Sequence, residues 1–326
     1  MLTITAGGSL ATTITTAGSG CELARSDGQD LIWRWLASLD LSEKSIQIHT
    51  VNIRRWREWC EERGVDPCGA SRAEVVEYRR HLSEDQGLRP ATVNTYLAAV
   101  KSLYRWLEGE GISPDVARGV RGLKTGKAHS KDALSKEQAA RLCEVHGEGE
   151  MELRDAAMVN LMTRRGLRTV EVANANIGDI GTVNGNSVLW ILGKGHDEKD
   201  EFVALGADCL NMISDYLAAR GCDDPEAPLF ASVARRNKGS RLTTISISRI
   251  VKERMRSLGM DSERLSAHSL RHTAVTFALL GGASVQEVQG MARHSDISTT
   301  LIYAHNLDRS EAAAERAVDS FMDGGE

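Results

Sequence analysis

Toward its C-terminal end the chain carries an ordered series of residues suited to one kind of chemistry. Arg168 lies in GLRTVE, Lys194 in LGKGHDEK, His268 and Arg271 in AHSLRH, and His294 and Tyr303 in MARHSDISTTLIYAH. Together they meet the needs of a protein that attacks a phosphodiester with a phenol and no metal. The phosphate repels nucleophiles, charge builds on its nonbridging oxygens, and the leaving oxygen needs a proton. Fixed cationic donors answer the first two needs and usually supply the largest catalytic term. Arginine suits this task because it is always protonated and grips two oxygens with a planar fork. Arg168 and Arg271 are the candidates. His268 and His294 are candidate donors or proton carriers, Lys194 has the reach to protonate the leaving oxygen, and Tyr303 is the candidate nucleophile.

Each residue alone has an ordinary reading. Arginine after a turn is commonly a surface charge, GKG a hairpin tip, His-x-x-Arg a packing pair, and a helical tyrosine part of a core. Order and context select the sharper reading. Of five tyrosines, only Tyr216 and Tyr303 fall in the second half of the chain. Tyr216 shares a helical stripe with Cys209, Met212 and Ile213, as a core residue does. Tyr303 follows a polar turn that opens with a histidine.

Two sets of elements must position these groups. Residues 28–112 read as a bundle of four helices. Ile46, Thr50, Ile53, Trp56 and Cys60 recur at helical spacing. Ser71 and Glu74 form a capping box opening a helix through Val75, Tyr78 and Leu82. Pro90 suits a first helical turn, leading a face of Val93, Leu97, Val100, Tyr104 and Leu107. The Trp and Tyr residues here read as core. Residues 113–131 read as a basic linker. From 132 to 326 a mixed segment is expected: a helix capped by Ser135 and Gln138, one over 152–164 ending at Gly166, and strands at Ser187–Leu192 and Glu201–Leu205 joined through the lysine turn. Further helices are expected over 207–219, 244–258 and 268–280, with another opened by the capping box of Ser284 and Glu287. The fold class is mainly α with a small β-sheet.

Composition sets outer limits. Hydrophobic residues make up 41% and charged residues 26% of 326, as in globular proteins. No apolar run approaches the ~18 residues of a membrane helix. Six scattered cysteines without a C-x-x-C pair suggest neither a zinc site nor a disulfide framework, and point to a reducing cytoplasm. Residues 1–27 read as a flexible tail rather than a signal peptide. The net charge of −5 conceals an uneven distribution. Residues 28–130 hold 16 basic against 14 acidic side chains, whereas residues 306–326 hold two Arg against six Asp and Glu. Local cations decide phosphate binding, so the total does not exclude DNA.

With these motifs the chain resembles the tyrosine recombinase, or phage integrase, family. GLRTVE, LGKG followed by EFVAL, HSLRHT and HSDISTTLIYAH carry the resemblance, which extends over residues 30–322 and includes TVNTYLAAVKSLYRWL. It implies a helical core-binding domain and a mixed catalytic domain clamped on double-stranded DNA at specific sites. It also implies a 3′-phosphotyrosyl intermediate, strand exchange through a Holliday junction, four protomers on two sites, and no cofactor or metal. Accessory proteins that set direction belong to the same picture. By position, Arg168 corresponds to the first catalytic arginine and Lys194 to the lysine, with Lys199 on the same hairpin as its competitor. His268 and Arg271 correspond to the His-x-x-Arg pair, His294 to the second histidine and Tyr303 to the nucleophile. Glu171 corresponds to the acidic residue behind the site, and His272 is read as orienting its helix rather than touching phosphate. Arg165 and Arg293 depart from the family pattern, which has a small residue and a glycine there; phosphate contacts are expected of both. Residues 309–322, with Ala313, Ala314, Ala317, Val318 and Phe321 on one face, read as a helix that docks on a neighbouring protomer. The 27-residue tail is too short for an added arm-binding domain, which points to a simple recombinase on short core sites. A type IB topoisomerase or resolvase, and a DNA-binding regulator without catalysis, are the competing readings.

Overall fold

A computed structural model of the chain describes residues 28–125, 132–192, 198–294, 296–311, 318–319 and 321–322. The expected tail (1–27), Lys194, and Ala313, Ala314 and Ala317 lie outside these residues. The chain divides into two compact units near residue 126. It is mainly helical, with one small sheet.

The first unit is a helical bundle: α1 (Gly28–Ser38), α2 (Glu43–Glu61), α3 (Arg72–Arg80) and α4 (Pro90–Gly109). Ser71 opens α3 with a reciprocal capping box to Glu74, and Pro90 occupies the first turn of α4. A wider π-turn over His81–Asp85 carries the chain on from α3 and keeps Leu82 in the core. Trp56 forms the centre, with ring centroids 5.3 Å from Trp59 and 5.0 Å from Tyr78. Its indole N–H donates to the carbonyl of Pro67 at 2.9 Å, which Tyr104 Oη also reaches. Trp35, Trp56, Trp59, Tyr78 and Tyr104 are buried as expected, but Trp33 stands 59% exposed.

The expected linker differs from its reading. Ala117 and Val120 are buried in the bundle core. Arg72 and Arg79 donate to the carbonyls of Arg118 and Arg121, and Asn94 pairs with both the N–H and the carbonyl of Leu123. Over 113–123 the segment thus belongs to the first unit. Its backbone lacks periodicity because side chains of α3 and α4, rather than its own helix, satisfy its polar groups.

The second unit is built on α6 (Glu150–Arg165), whose residues from Ala156 to Thr163 are all buried. Around it lie α5 (Lys136–Cys143), α7 (Thr169–Asn174), α8 (Ala207–Arg220), α9 (Thr244–Ser257), α10 (Ala267–Leu280), α11 (Val285–Ala292) and α12 (Ile297–Glu311). The capping boxes of Ser135 and Ser284 form as read. The antiparallel sheet has three strands in the order β1 (Ile180–Val183), β2 (Asn186–Ile191), β3 (Glu201–Ala204). The strand β1 is additional to the expected pair. Asn184 and Gly185, at φ 51° and 79°, join it to β2 in the turn that suits a tight hairpin. Short and half-buried, β1 has no alternation to reveal it. Among the described residues no helix is long and apolar enough to cross a membrane.

Candidate active site

The site begins where α6 stops. Gly166 takes the left-handed conformation at φ 64° and caps the helix. The buried Leu167 anchors the next residue, so that Arg168 stands at the entrance to α7. Glu171, one turn on, accepts the Arg168 backbone N–H at 2.7 Å with one oxygen and Arg168 Nη1 at 2.7 Å with the other. Glu171 is 2% exposed. Burial alone pushes its carboxyl up, but the adjoining Arg293 and Arg168 outweigh this and hold it below the ordinary carboxylate range.

The helix α10 supplies the second cluster. His268, in its first turn, is exposed, while Arg271 and His272 are buried. Arg271 Nη1 donates to the carbonyl of Gly166 at 2.7 Å, and its Nη2 donates to the carbonyl of Ala292. Burial, then the charge of Arg168, lowers its pKa to about 10, which leaves it cationic at neutral pH. Arg168 Nη2 donates to the neighbouring carbonyl, that of Arg293, at 2.9 Å. Both arginines thus reach the backbone at the end of α11, immediately before His294.

His294 has Nδ1 2.8 Å from Thr300 Oγ1, and its carbonyl accepts from Gln289 at 3.1 Å. Thr300 is fully buried, so one nitrogen of the imidazole is fixed from behind. Burial and then Arg271, Arg168 and Arg293 depress its pKa to about 4; the ring is neutral at pH 7. One helical stretch on, the ring of Tyr303 packs among Val275, Val288 and Ala292. Its hydroxyl is hydrogen-bonded to Nδ1 of His272. Burial raises the phenol to about 12, against the opposing pull of Arg271.

Arg168, Arg271, His294 and Tyr303 therefore come together from α7, α10, the α11–α12 turn and α12. One sequence reading is sharpened and two need correction. His272 does not merely orient its helix, because it bonds the hydroxyl of Tyr303. Arg293 does not face solvent for a phosphate: its side chain is 6% exposed and paired with Glu171 at 2.7 Å. Arg165 is directed to the start of α8, where its charge opposes the upward push of burial on the Cys209 thiol and its guanidinium fills the space a side chain at Gly206 would need. Lys199, the competitor of Lys194, is paired with Asp179 at 2.5 Å. Thr300 and Gln289 were missed; only a spacing of six residues between His294 and a threonine hinted at the first. Among the described residues no cluster of His, Cys, Asp or Glu is arranged to hold a metal.

Comparison with known proteins shows the family. The phage integrase family model matches residues 132–310, and the N-terminal SAM-like domain model of phage integrases matches residues 34–113. The chain belongs to the phage integrase family. It is a tyrosine recombinase, an enzyme that breaks and rejoins DNA. Tyrosine recombinase XerC of Pelobacter propionicus is 30% identical over 287 residues, covering 85% of this chain and 91% of the relative. The fold is similar to that of the XerH site-specific recombinase bound to a palindromic difH substrate, with TM-score 0.69, 19% identity, and 89% and 85% of the two chains covered. It is also similar to a lambda integrase tetramer bound to a Holliday junction, with TM-score 0.64, 15% identity, and 83% and 76% covered.

Proposed function

We propose that this recombinase cuts specific double-stranded DNA sites with Tyr303 and rejoins them through a 3′-phosphotyrosyl intermediate. The observation that supports the assignment of roles is that Arg168 and Arg271 both reach the backbone just before His294, with Arg271 and the neutral imidazole beside Tyr303. Arg168 and Arg271 clamp the scissile phosphate and stabilise its developing charge. His294 donates from the nitrogen that Thr300 leaves open, and His268 adds a donor from the exposed first turn of α10. Lys194 protonates the leaving deoxyribose oxygen. Tyr303 forms the ester, and the free 5′-hydroxyl of a partner strand reverses it. The bond energy stays in the protein–DNA link, so the cycle needs no nucleotide cofactor.

The same reading has four protomers exchanging strands through a Holliday junction, the assembly named for the lambda integrase structure. The C-terminal segment supports docking on a neighbour: Val318 is 56% and Phe321 87% exposed. Such residues on an acidic segment suit a groove on protein rather than on DNA.

A nicked suicide substrate tests the chemistry. A covalent adduct should survive denaturation, form in EDTA, and vanish in Tyr303→Phe. An adduct persisting in that variant removes the nucleophile assignment, and cleavage that requires a metal removes the mechanism. With two intact sites, recombinant joints are expected; relaxation of supercoils without joints would instead indicate a topoisomerase.

A further inference from the structure

Arg293 stands at φ 52° and ψ 51°, and it is one of two non-glycine residues with positive φ among those described. A side chain is disfavoured in this conformation and glycine is not. Arginine here must therefore make contacts that offset the strain. Its guanidinium donates to both oxygens of Glu171, Nη2 at 2.7 Å and Nε at 3.3 Å, and to the carbonyl of Met291 at 2.6 Å. Its own carbonyl accepts from Arg168 Nη2 at 2.9 Å. Arg168 in turn is bonded twice to Glu171. The contacts close a ring that runs from Arg168 to Glu171, to the Arg293 side chain, and through the Arg293 carbonyl back to Arg168.

We infer that Arg293 is a positioning residue, a buried clasp that joins the Arg168 motif to the turn carrying His294. This rests on the roles proposed above for Arg168 and His294. The clasp ties two segments 125 residues apart in sequence through a forked pair that lysine cannot reproduce. The turn has no other side chain reaching Glu171 among the described residues. Without the clasp, among the described residues, only the bond from Arg168 Nη2 to the carbonyl of residue 293 joins the two motifs directly, and the register between the phosphate clamp and the imidazole loosens. A displacement near 1 Å at such a site costs on the order of 10²-fold in rate.

The test separates binding from chemistry, using the full-length protein and the nicked substrate. Arg293→Gly removes the pair and the strain together; Arg293→Lys keeps the charge but not the fork. At saturating DNA, adduct formation should fall at least tenfold in Arg293→Gly and be partly restored in Arg293→Lys. The DNA dissociation constant should stay within about twofold, and the salt dependence of binding should be unchanged, because no phosphate contact is lost. Arg293→Gln and Glu171→Gln should be strongly non-additive in rate when combined. Thermal melting of each variant checks that the fold persists. Weaker binding with a shallower salt slope would make Arg293 a phosphate contact and overturn the inference, as would a wild-type rate in Arg293→Gly. Wild type and Tyr303→Phe run in parallel; no adduct from wild type would instead count against the recombinase chemistry itself.

Discussion

Glu171→Ala puts the energetics of this network to the most direct test. The carboxylate is 2% exposed and takes four donors: the backbone and Nη1 of Arg168, and Nε and Nη2 of Arg293. Removing it affects the two arginines differently. Arg168 has a side chain 27% exposed and can rehydrate. Arg293, at 6%, would retain only the Met291 carbonyl. Leaving one partner of a buried pair uncompensated costs about 3–5 kcal/mol, against about 0–1 kcal/mol for an exposed pair. The rehydration of Arg168 favours the lower end, about 3 kcal/mol. With a urea slope of about 2 kcal/mol per molar, the unfolding midpoint of the second unit should fall by about 1.5 M. Amide hydrogen exchange in α6 at increasing urea reads this unit separately. A shift below about 0.3 M would show the pair to be no stronger than a surface one and refute the reasoning. The pH dependence gives a second arm. The folded-state pKa of Glu171 lies below its ordinary value, so its contribution is present above the unfolded pKa and is lost as pH falls through the folded one. Acid should therefore weaken wild type more than Glu171→Gln.

Three further outcomes are expected. His294 has a folded pKa of about 4, below its unfolded value near 6.5, so stability is lost as pH falls from about 6.5 toward 4; the shift taken whole is about 3 kcal/mol, and partial exposure reduces it to about 1 kcal/mol. An NMR titration should show this ring neutral at pH 6, and a midpoint at 6.5 would contradict the cause assigned. Gly178→Ala would place Cβ 2.8 Å from Pro225 Cβ and 3.0 Å from its carbonyl oxygen; overpacking of about 2 kcal/mol should lower the melting temperature of the second unit by about 4–8 °C. Tyr104→Phe leaves the Ala70 N–H without its acceptor, while Pro67 keeps the Trp56 indole; the first unit should lose about 1–3 kcal/mol by urea titration.

What the sequence revealed follows the range over which each signal acts. The capping boxes at Ser71, Ser135 and Ser284 are local, so a residue and its third neighbour suffice to place the helix start. The same is true of Pro90 and of Gly166. Residues 113–123 carried no such signal, because their polar groups are satisfied from α3 and α4. The site residues were legible by type and order, but their contacts were not. Nothing local marks His272 as the partner of Tyr303, 31 positions away. Nor does it show that Arg293, read as added charge facing DNA, turns inward to Glu171, 122 positions away. In both cases tertiary packing decides where the side chain points, and a charge is as compatible with a buried pair as with solvent.

The electrostatics of the site also constrain how the proposed attack proceeds. Burial, reinforced by Arg271, Arg168 and Arg293, keeps His294 neutral, while burial holds Tyr303 at about 12 despite Arg271. A phosphate entering the clamp brings negative charge against Arg168 and Arg271, partly cancelling the field that depresses His294. The imidazole thereby becomes a better cation and a stronger donor to the same phosphate. The effect on Tyr303 has the opposite sign, because an anion beside the phenol disfavours phenolate. Substrate binding therefore helps the histidine but does not ionise the nucleophile. The phenol must leave its hydrogen bond to His272 and lose its proton as the ester forms, not beforehand. The energy for that step comes from charge stabilisation that develops only as Tyr303 closes on phosphorus. The register between Arg168, His294 and Tyr303 then matters more to the rate than the affinity for DNA does.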